Sequence, residues 1–344
     1  MTSPHAFPSL SSTDDLDAAA PPWNAGESWA GAAPSGMPAL GDVPTEPLPY
    51  HRLGLLAHPR RWWRPLAVLG LAVGFYLVFL LALILGSIVC MAVSAGSLEM
   101  DEAAMTDMSQ PIPFMFTMLS IVLMAPAVML AVRVAGRRPV GTTMSVAGRM
   151  RWGLLGQSML VTLVCLVAIL VVQYLIDPIT PRLVGGLGGA LAMAGLGIVL
   201  VPIQAAAEEF AFRALPLQML GAWLRSPIWG ILLPVPLFVL GHGYSLQGQL
   251  EIGLFAVIAG YLTWRTGGLE AAIGLHVVNN LVLTLISTLG LADPNITEIS
   301  WGAAAMSAGY TVTAAGLILL IVRRREARGE VLRVECHGVT LQRP

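Results

Sequence analysis

Two glutamates stand side by side at the end of an apolar stretch, in the run Ala205-Ala-Ala-Glu208-Glu209-Phe-Ala-Phe-Arg213. The segment before them, from Leu187 to Ala207, carries one glutamine and no charge. Ionisable groups at membrane depth are expensive and are functional candidates by default. On a helix Glu209 and Arg213 are i and i+4 with the acid first, the better order for an ion pair. Glu208 lies about 100° away around the helix and cannot share that pairing equally. The carboxylates therefore divide: Glu209 is expected to be neutralised by Arg213, and Glu208 to be left as a general base in a low-dielectric site. A purely structural ion pair near a helix end explains Glu209 and Arg213 but not the second glutamate.

Other polar groups sit in apolar runs. Phe238-Val-Leu-Gly-His242-Gly closes one of them, and Gly241 and Gly243 leave room for close backbone approach. A lone histidine there is more often interfacial than catalytic. In His276-Val-Val-Asn-Asn280 the histidine and Asn280 are i and i+4 and share one face. Both are costly in lipid and must turn inward. The plain alternative is an interhelical hydrogen bond, worth about 0.6 kcal/mol on average. Asn279 points elsewhere and reads as structural. His5, His51, His58 and His337 lie in tails or juxtamembrane segments, so only His242 and His276 join this set. A base, a polarising imidazole and amide or imidazole donors for an oxyanion are the parts that amide hydrolysis requires.

Such residues need elements that hold them inside a bilayer. The 344-residue chain is 56% hydrophobic and 11% charged, against about 25% charged for a soluble domain. An integral membrane protein is expected. Apolar stretches of about 20 residues predict an all-α polytopic protein of about eight spans, at 66–93, 112–135, 153–176, 187–212, 228–242, 250–265, 269–290 and 302–322. Pro234 and Pro236 kink or break the fifth, which neighbouring helices can tolerate.

Arginine-rich flanks mark cytoplasmic ends. Arg52, Arg60, Arg61 and Arg64 precede the first span beside Trp62 and Trp63, and Arg137, Arg138, Arg149 and Arg151 follow the second. Arg225 follows the fourth, Arg265 the sixth, and Arg323, Arg324, Arg325, Arg328 and Arg333 the last. The loops with Glu99, Asp101, Glu102 and Asp107, and with Asp293 and Glu298, are acidic; only Arg182 disagrees. Both termini are thus expected in the cytoplasm.

The first 50 residues hold six acids, no arginine and no signal-peptide core, and read as a disordered Pro-, Ala-, Ser- and Gly-rich tail. Residues 51–65 read as a basic juxtamembrane segment, 66–186 as N-terminal membrane helices and 187–290 as the core holding the polar residues. The last span falls in 291–322 and a basic cytoplasmic tail in 323–344. A net charge of −1 gives no basic surface for nucleic acid. All 19 basic residues are arginine, which with abundant Ala and Gly points to a GC-rich bacterial source, and so to a plasma membrane. Cys90, Cys165 and Cys336 form no C-x-x-C, so neither a disulfide framework nor a cysteine zinc site is indicated.

Read together, Glu208-Glu209-Phe-Ala-Phe-Arg213, Phe238-Val-Leu-Gly-His242 and His276-Val-Val-Asn-Asn280 resemble the CPBP family. That family groups the CAAX prenyl endopeptidases with bacterial Abi or bacteriocin-processing relatives. Its pattern of E-E-x-x-x-R, F-x-x-x-H and H-x-x-x-N is complete here and in order, over roughly residues 187–290. Each motif is weak alone; three in consecutive membrane helices are specific. The resemblance implies an α-helical intramembrane endopeptidase with a water-accessible cavity. It implies that Glu208 activates water with His242, that His276 and Asn280 stabilise the oxyanion, that Glu209 and Arg213 support the site, and that Phe238 packs beside it. The family has carried a metalloprotease label, and zinc on Glu208, His242 and His276 is a chemically allowed set. With no H-E-x-x-H and dispersed donors, the resemblance favours a glutamate-activated water and no obligatory metal.

The implied partners are membrane lipid and a hydrophobic peptide or membrane-protein substrate, since a bacterium lacks the usual prenylated clients. Two other readings use the same residues. One is a non-enzymatic bacteriocin-immunity or membrane scaffold protein on the same fold. The other is a proton-coupled transporter, against which the lack of an internal repeat counts. One geometric demand follows from the simple topology. Glu208 and His276 lie near the cytoplasmic side, whereas His242 follows about 14 residues of an outward-running helix, or about 20 Å. A kink at Pro234 or Pro236, a tilted helix or a recessed cavity has to close that gap.

Overall fold

The computed structural model describes residues 48–57, 60–93 and 106–329, all within one compact unit, Pro44–Pro344. The expectations for the N-terminal tail, for Glu99, Asp101 and Glu102, and for residues 330–344 lie outside the described residues. A 3-10 turn, Tyr50–Leu56, precedes α1 (Arg64–Val93). Next come α2 (Pro111–Val122), α3 (Met124–Val134), the single turn α4 (Gly141–Met144), α5 (Trp152–Ile176) and α6 (Gly186–Glu209). A π turn, Phe210–Ala214, carries α6 into α7 (Leu215–Leu220). The short α8 (Ile228–Leu232) and α9 (Val235–Leu240) lead to α10 (Leu246–Thr266), α11 (Glu270–Ser287) and α12 (Trp301–Ala327). Among the described residues, extended pairing is limited to an isolated antiparallel bridge between Ser145 and Gly268.

Among the described residues, six segments are long and apolar enough to cross a membrane: Arg64–Val93, Pro111–Val134, Trp152–Ile176, Gly186–Leu220, Glu270–Ser287 and Trp301–Ala327. Ile228–Leu240 is apolar but shorter. A helix satisfies its own backbone N–H and C=O groups, which is why apolar sequence in lipid takes this form. The remaining segment, α10, has 21 residues but opens with Gln247, Gln249 and Glu251, which lower its hydropathy. Each of the eight expected spans thus meets a helical segment, with shifted ends. The fifth is broken between Leu232 and Val235, where Pro234 sits, and it stops at Leu240. His242 therefore lies just past a helix rather than on it. The last helix runs on through Arg323, Arg324 and Arg325 to Ala327. There Arg265 forks onto Glu326, Nη1 to Oε1 at 2.8 Å and Nη2 to Oε2 at 2.9 Å, so the basic tail begins as helix.

The outer and inner helices differ in what they bury. α1 leaves Leu77, Val78, Leu81, Leu85 and Ile88 exposed, a surface suited to acyl chains. α11 packs against α5, α6, α10 and α12, and buries Ala271, Ala272, Leu275, His276 and Val277. Small residues set these crossings, as is usual where lipid gives no hydrophobic drive to associate. A Cβ on Gly274 would lie 2.8 Å from Ser158 Cβ of α5, and one on Gly197 would lie 2.8 Å from Thr284 Cγ2.

The start of α11 is pinned by charge. Arg151 grips Glu270 with Nε to Oε1 at 2.8 Å and Nη2 to Oε2 at 2.7 Å, and its backbone N–H donates to Oε1 at 2.9 Å. The Glu270 side chain is fully buried and sits in the first turn of α11, where the helix dipole also favours a carboxylate. This pair and the Arg265–Glu326 fork gather the arginine-bearing ends on one side. At the opposite ends, Asn295 donates to Asp107 Oδ1 at 2.7 Å, joining two acidic connections. Glu270→Ala would remove the carboxylate that grips the Arg151 guanidinium, which would keep its 2.9 Å bond to the Thr266 carbonyl. It is expected to cost about 3–5 kcal/mol in a denaturant titration in detergent; a loss below about 1 kcal/mol, the worth of an exposed pair, would show that the fork does not hold α11.

The 3-10 turn docks on α7. His51 is buried there and its Nε2–H donates to the Arg225 carbonyl at 2.9 Å. Burial holds its pKa below the ordinary histidine value, partly countered by that hydrogen bond. The unfolded chain therefore takes up the proton first on acidification. Stability from this residue is complete above about pH 6.5 and declines as pH falls below it. Melting curves from pH 8 to pH 5 should show a decline that is smaller in His51→Gln; equal slopes would contradict it.

Candidate active site

The facing sides of α6 and α11 carry two polar rungs. In one, His276 Nε2 lies 3.2 Å from Glu208 Oε2. In the other, Asn280 Nδ2 donates to Gln204 Oε1 at 3.4 Å. Gln204 and Glu208 are i and i+4 on α6, and Asn280 and His276 are i and i+4 on α11, so both rungs form where the helices run antiparallel. Glu209 completes the set. Its Oε1 accepts from His276 Nδ1 at 2.7 Å and lies 3.2 Å from Arg213 Nη1. One imidazole is thus held between two adjacent carboxylates. Glu209 pairs with Arg213, as the spacing predicts, but also serves His276. Glu208 is not left alone, because His276 faces it.

The helix changes pitch immediately after the two glutamates. Phe210–Ala214 is a π turn, in which the Leu215 N–H reaches back five residues to the Phe210 carbonyl. Pro216 follows in the first turn of α7. In a regular helix its ring would crowd the carbonyl four residues back and its missing N–H would leave that carbonyl unpaired. An extra residue in the turn relieves this, and π turns inside helices often mark functional sites.

Phe238 ties the remaining groups together. The Arg213 guanidinium carbon stands 4.2 Å from the Phe238 ring centroid and 5.7 Å from that of Phe255. The Phe238 ring lies 4.8 Å from His242, 6.5 Å from His276 and 5.1 Å from Phe212, centroid to centroid. His242 Nδ1 is 2.8 Å from the Phe238 carbonyl. A carbonyl only accepts, so Nδ1 is the donor in this contact, and Nε2 is the ring nitrogen it leaves over. The proline break ends the helix early and His242 folds back one turn onto Phe238. The expected gap is bridged through that ring: among the described residues no hydrogen bond links His242 to Glu208.

Burial is nearly complete. Glu208 is 6% exposed, Glu209 0%, Arg213 2% and His276 3%; His242 is only partly buried. Charges so placed must compensate one another. Here the Arg213 guanidinium lies against Glu209, and the His276 ring stands between both carboxylates. Glu208 Oε2, Glu209 Oε2 and both Arg213 terminal nitrogens have no aligned hydrogen-bond partner. The 3.2 Å approach of His276 to Glu208 is therefore proximity and charge rather than a formed hydrogen bond, whereas the bond to Glu209 is short and directional. The arrangement fixes the imidazole from its Nδ1 side and leaves Nε2 and a carboxylate oxygen facing each other.

Among the described residues no three His, Cys, Asp or Glu side chains are grouped to hold a metal ion. Of the set a zinc ion would need, Glu208 and His276 stand 3.2 Å apart, whereas His242 packs on the Phe238 ring, 4.8 Å between centroids, so the three are not gathered as one donor set here.

Several contributors were not singled out by sequence. Gln204 had a signal, being the lone polar residue in its apolar run and four residues before Glu208. Phe255, with its ring 5.0 Å from His276, had none. Asn279, expected to point elsewhere, reaches the site instead: its amide donates to Asn280 Oδ1 at 3.0 Å and its own oxygen accepts from the Tyr310 hydroxyl, tying Asn280 to α12. Gln204→Leu removes the partner of the Asn280 amide. A stability loss of about 1 kcal/mol is expected, measured by detergent unfolding; no change would mean the second rung is not held.

Residues 189–282 match the family described as type II CAAX prenyl endopeptidase Rce1-like. That span contains every residue of the three motifs. The chain is also 25% identical over 236 residues, covering 66% of its length and 78% of the relative, to the uncharacterised protein YyaK of Bacillus subtilis (strain 168). No solved structure matches it. The matched segment is thus similar to a CAAX-type protease domain, and the apolar helices indicate an integral membrane protein.

Proposed function

We propose that residues 187–290 form the catalytic core of an intramembrane endopeptidase that hydrolyses peptide bonds in hydrophobic or membrane-associated peptides. The observation that carries this reading is the His276 ring held between Glu208 and Glu209 at 3.2 and 2.7 Å. Glu209 orients the imidazole through Nδ1, and Arg213 neutralises Glu209, the logic by which a buried carboxylate positions a histidine in hydrolytic triads. Glu208 takes a proton from water as the oxygen attacks the scissile carbonyl carbon. The oxyanion then accepts from His276 Nε2–H and the Asn280 amide. Collapse breaks the C–N bond, and the proton held by Glu208 passes to the leaving amine. His242, with its free Nε2 beside Phe238, shares in handling the water. The protein sits in the bacterial plasma membrane with both termini cytoplasmic, on the strength of its arginine-rich ends. Its substrates are peptide leaders, membrane regulators or other membrane proteins, and nucleic acid is no partner.

A quenched library of hydrophobic peptides, offered to protein purified in detergent, tests the reaction. Glu208→Gln and His276→Ala should each lower turnover by at least about 100-fold with elution profiles unchanged. Full turnover in either variant would sink the mechanism. Loss of turnover on chelation with recovery on added zinc would overturn the metal-free route, and no cleavage by wild type beside a retained partner would favour the scaffold reading.

A further inference from the structure

A second polar site lies at the arginine-rich end of the bundle, on the far side of the π turn from Gln204 and Glu208. A cavity of about 260 Å³ opens there between the 3-10 turn, the start of α1 and α7. Arg60, Arg61, Arg64 and Arg138 line it and no acidic side chain does. Arg64 is 5% exposed, and its Nε and Nη1 are buried without a hydrogen-bond partner. Leaving a buried guanidinium unpaired is costly, so the cavity as built calls for an anion. Arg138 is buried too, donating to Thr142 Oγ1, and burial lowers its pKa to about 10, which leaves it charged at neutral pH.

The surroundings fix the kind of anion. Trp223 Nε1 donates to the Trp62 carbonyl at 2.9 Å, and both rings are exposed at the rim, 39% and 74%, as suits the membrane–water interface. Val68 and Leu215 provide an apolar wall, continuous with the packing of α1 on Val128, Ala131 and Val132. Gln218 Oε1 is a buried acceptor with no partner, placed to take a hydroxyl beside the anion. Guanidinium groups match the geometry of phosphate oxygens.

We propose that this cavity binds an anionic phosphate group at the membrane surface, with Arg64 as its central contact. Binding here is separate from peptide hydrolysis and does not depend on it. The four arginines without a counter-acid disfavour a zwitterionic headgroup, whose own cation would be repelled.

The test is thermal unfolding of delipidated full-length protein in neutral detergent at fixed ionic strength. It is run with dioleoyl phosphatidylglycerol, with dioleoyl phosphatidylcholine and with inorganic phosphate. Phosphatidylglycerol should raise the melting temperature and phosphatidylcholine should not. Arg64→Gln should require about tenfold more phosphatidylglycerol for the same shift. The Arg60→Gln/Arg61→Gln double variant, altered at exposed positions, should weaken binding in the same sense and decides the matter if Arg64→Gln does not fold. A matching shift with inorganic phosphate that is lost in these variants supports the site and assigns it to a soluble phosphoester. Equal shifts from both lipids, or shifts unaffected by either variant, overturn the proposal.

Discussion

The structure turns on one imidazole lodged between two carboxylates where water is scarce. In such a medium an ion is tolerated only beside its complement, so His276, Glu208, Glu209 and Arg213 must be delivered to one place or none can be buried. That requirement explains the small residues at these crossings. Gly274 of α11 admits α5, and Gly197 of α6 lets α11 come close enough for side chains no longer than glutamate and histidine to meet. It also explains why α11 is the most enclosed helix and why a second charged pair, Arg151 with Glu270, fixes its end. Glu270 lies six residues before His276, about 9 Å along the axis. The fork therefore sets the depth at which the imidazole stands.

Aromatic packing extends this constraint to a third element. The Phe238 ring touches Arg213, His276 and His242. A cation stacked on a ring keeps its charge while presenting little polar surface to lipid. Because α9 is short and follows a proline break, it does not need to match the membrane's full thickness. It carries Phe238 to the level of the ion cluster and leaves His242 beside it at the less buried edge.

Much of this was legible in the chain. The Glu209–Arg213 pair follows from spacing and order alone, and the shared face of His276 and Asn280 follows from the same rule. The helical architecture was readable because lipid reverses the usual economy of apolar surface, leaving runs that no soluble helix would show. What could not be read is what depends on contacts between distant segments. Nothing local says that His276 meets both glutamates, that Glu270 finds Arg151, or that Phe255 stacks near His276. Helix ends were displaced for local reasons that are visible in hindsight, with Pro234 shortening one helix and the Arg265–Glu326 pair lengthening another. Arginines counted as orientation signals, Arg138, Arg151 and Arg64 among them, proved to be buried or paired, so charge bias in loops and structural charge draw on the same residues.

The π turn has a consequence for the phase of the whole segment. Gly186–Leu220 runs as one membrane-length helix of 35 residues, yet its halves address different neighbours. Before the turn, Gln204 and Glu208 look toward α11; after it, Leu215 and Gln218 look toward the 3-10 turn and the arginine cavity. The added residue acts as an angular offset of about 100° between two surfaces on a single rod. Either surface can be tuned by substitution, but their relative azimuth is set by chain length alone. A one-residue deletion in this stretch would leave a well-formed helix with its two halves aimed at the wrong partners.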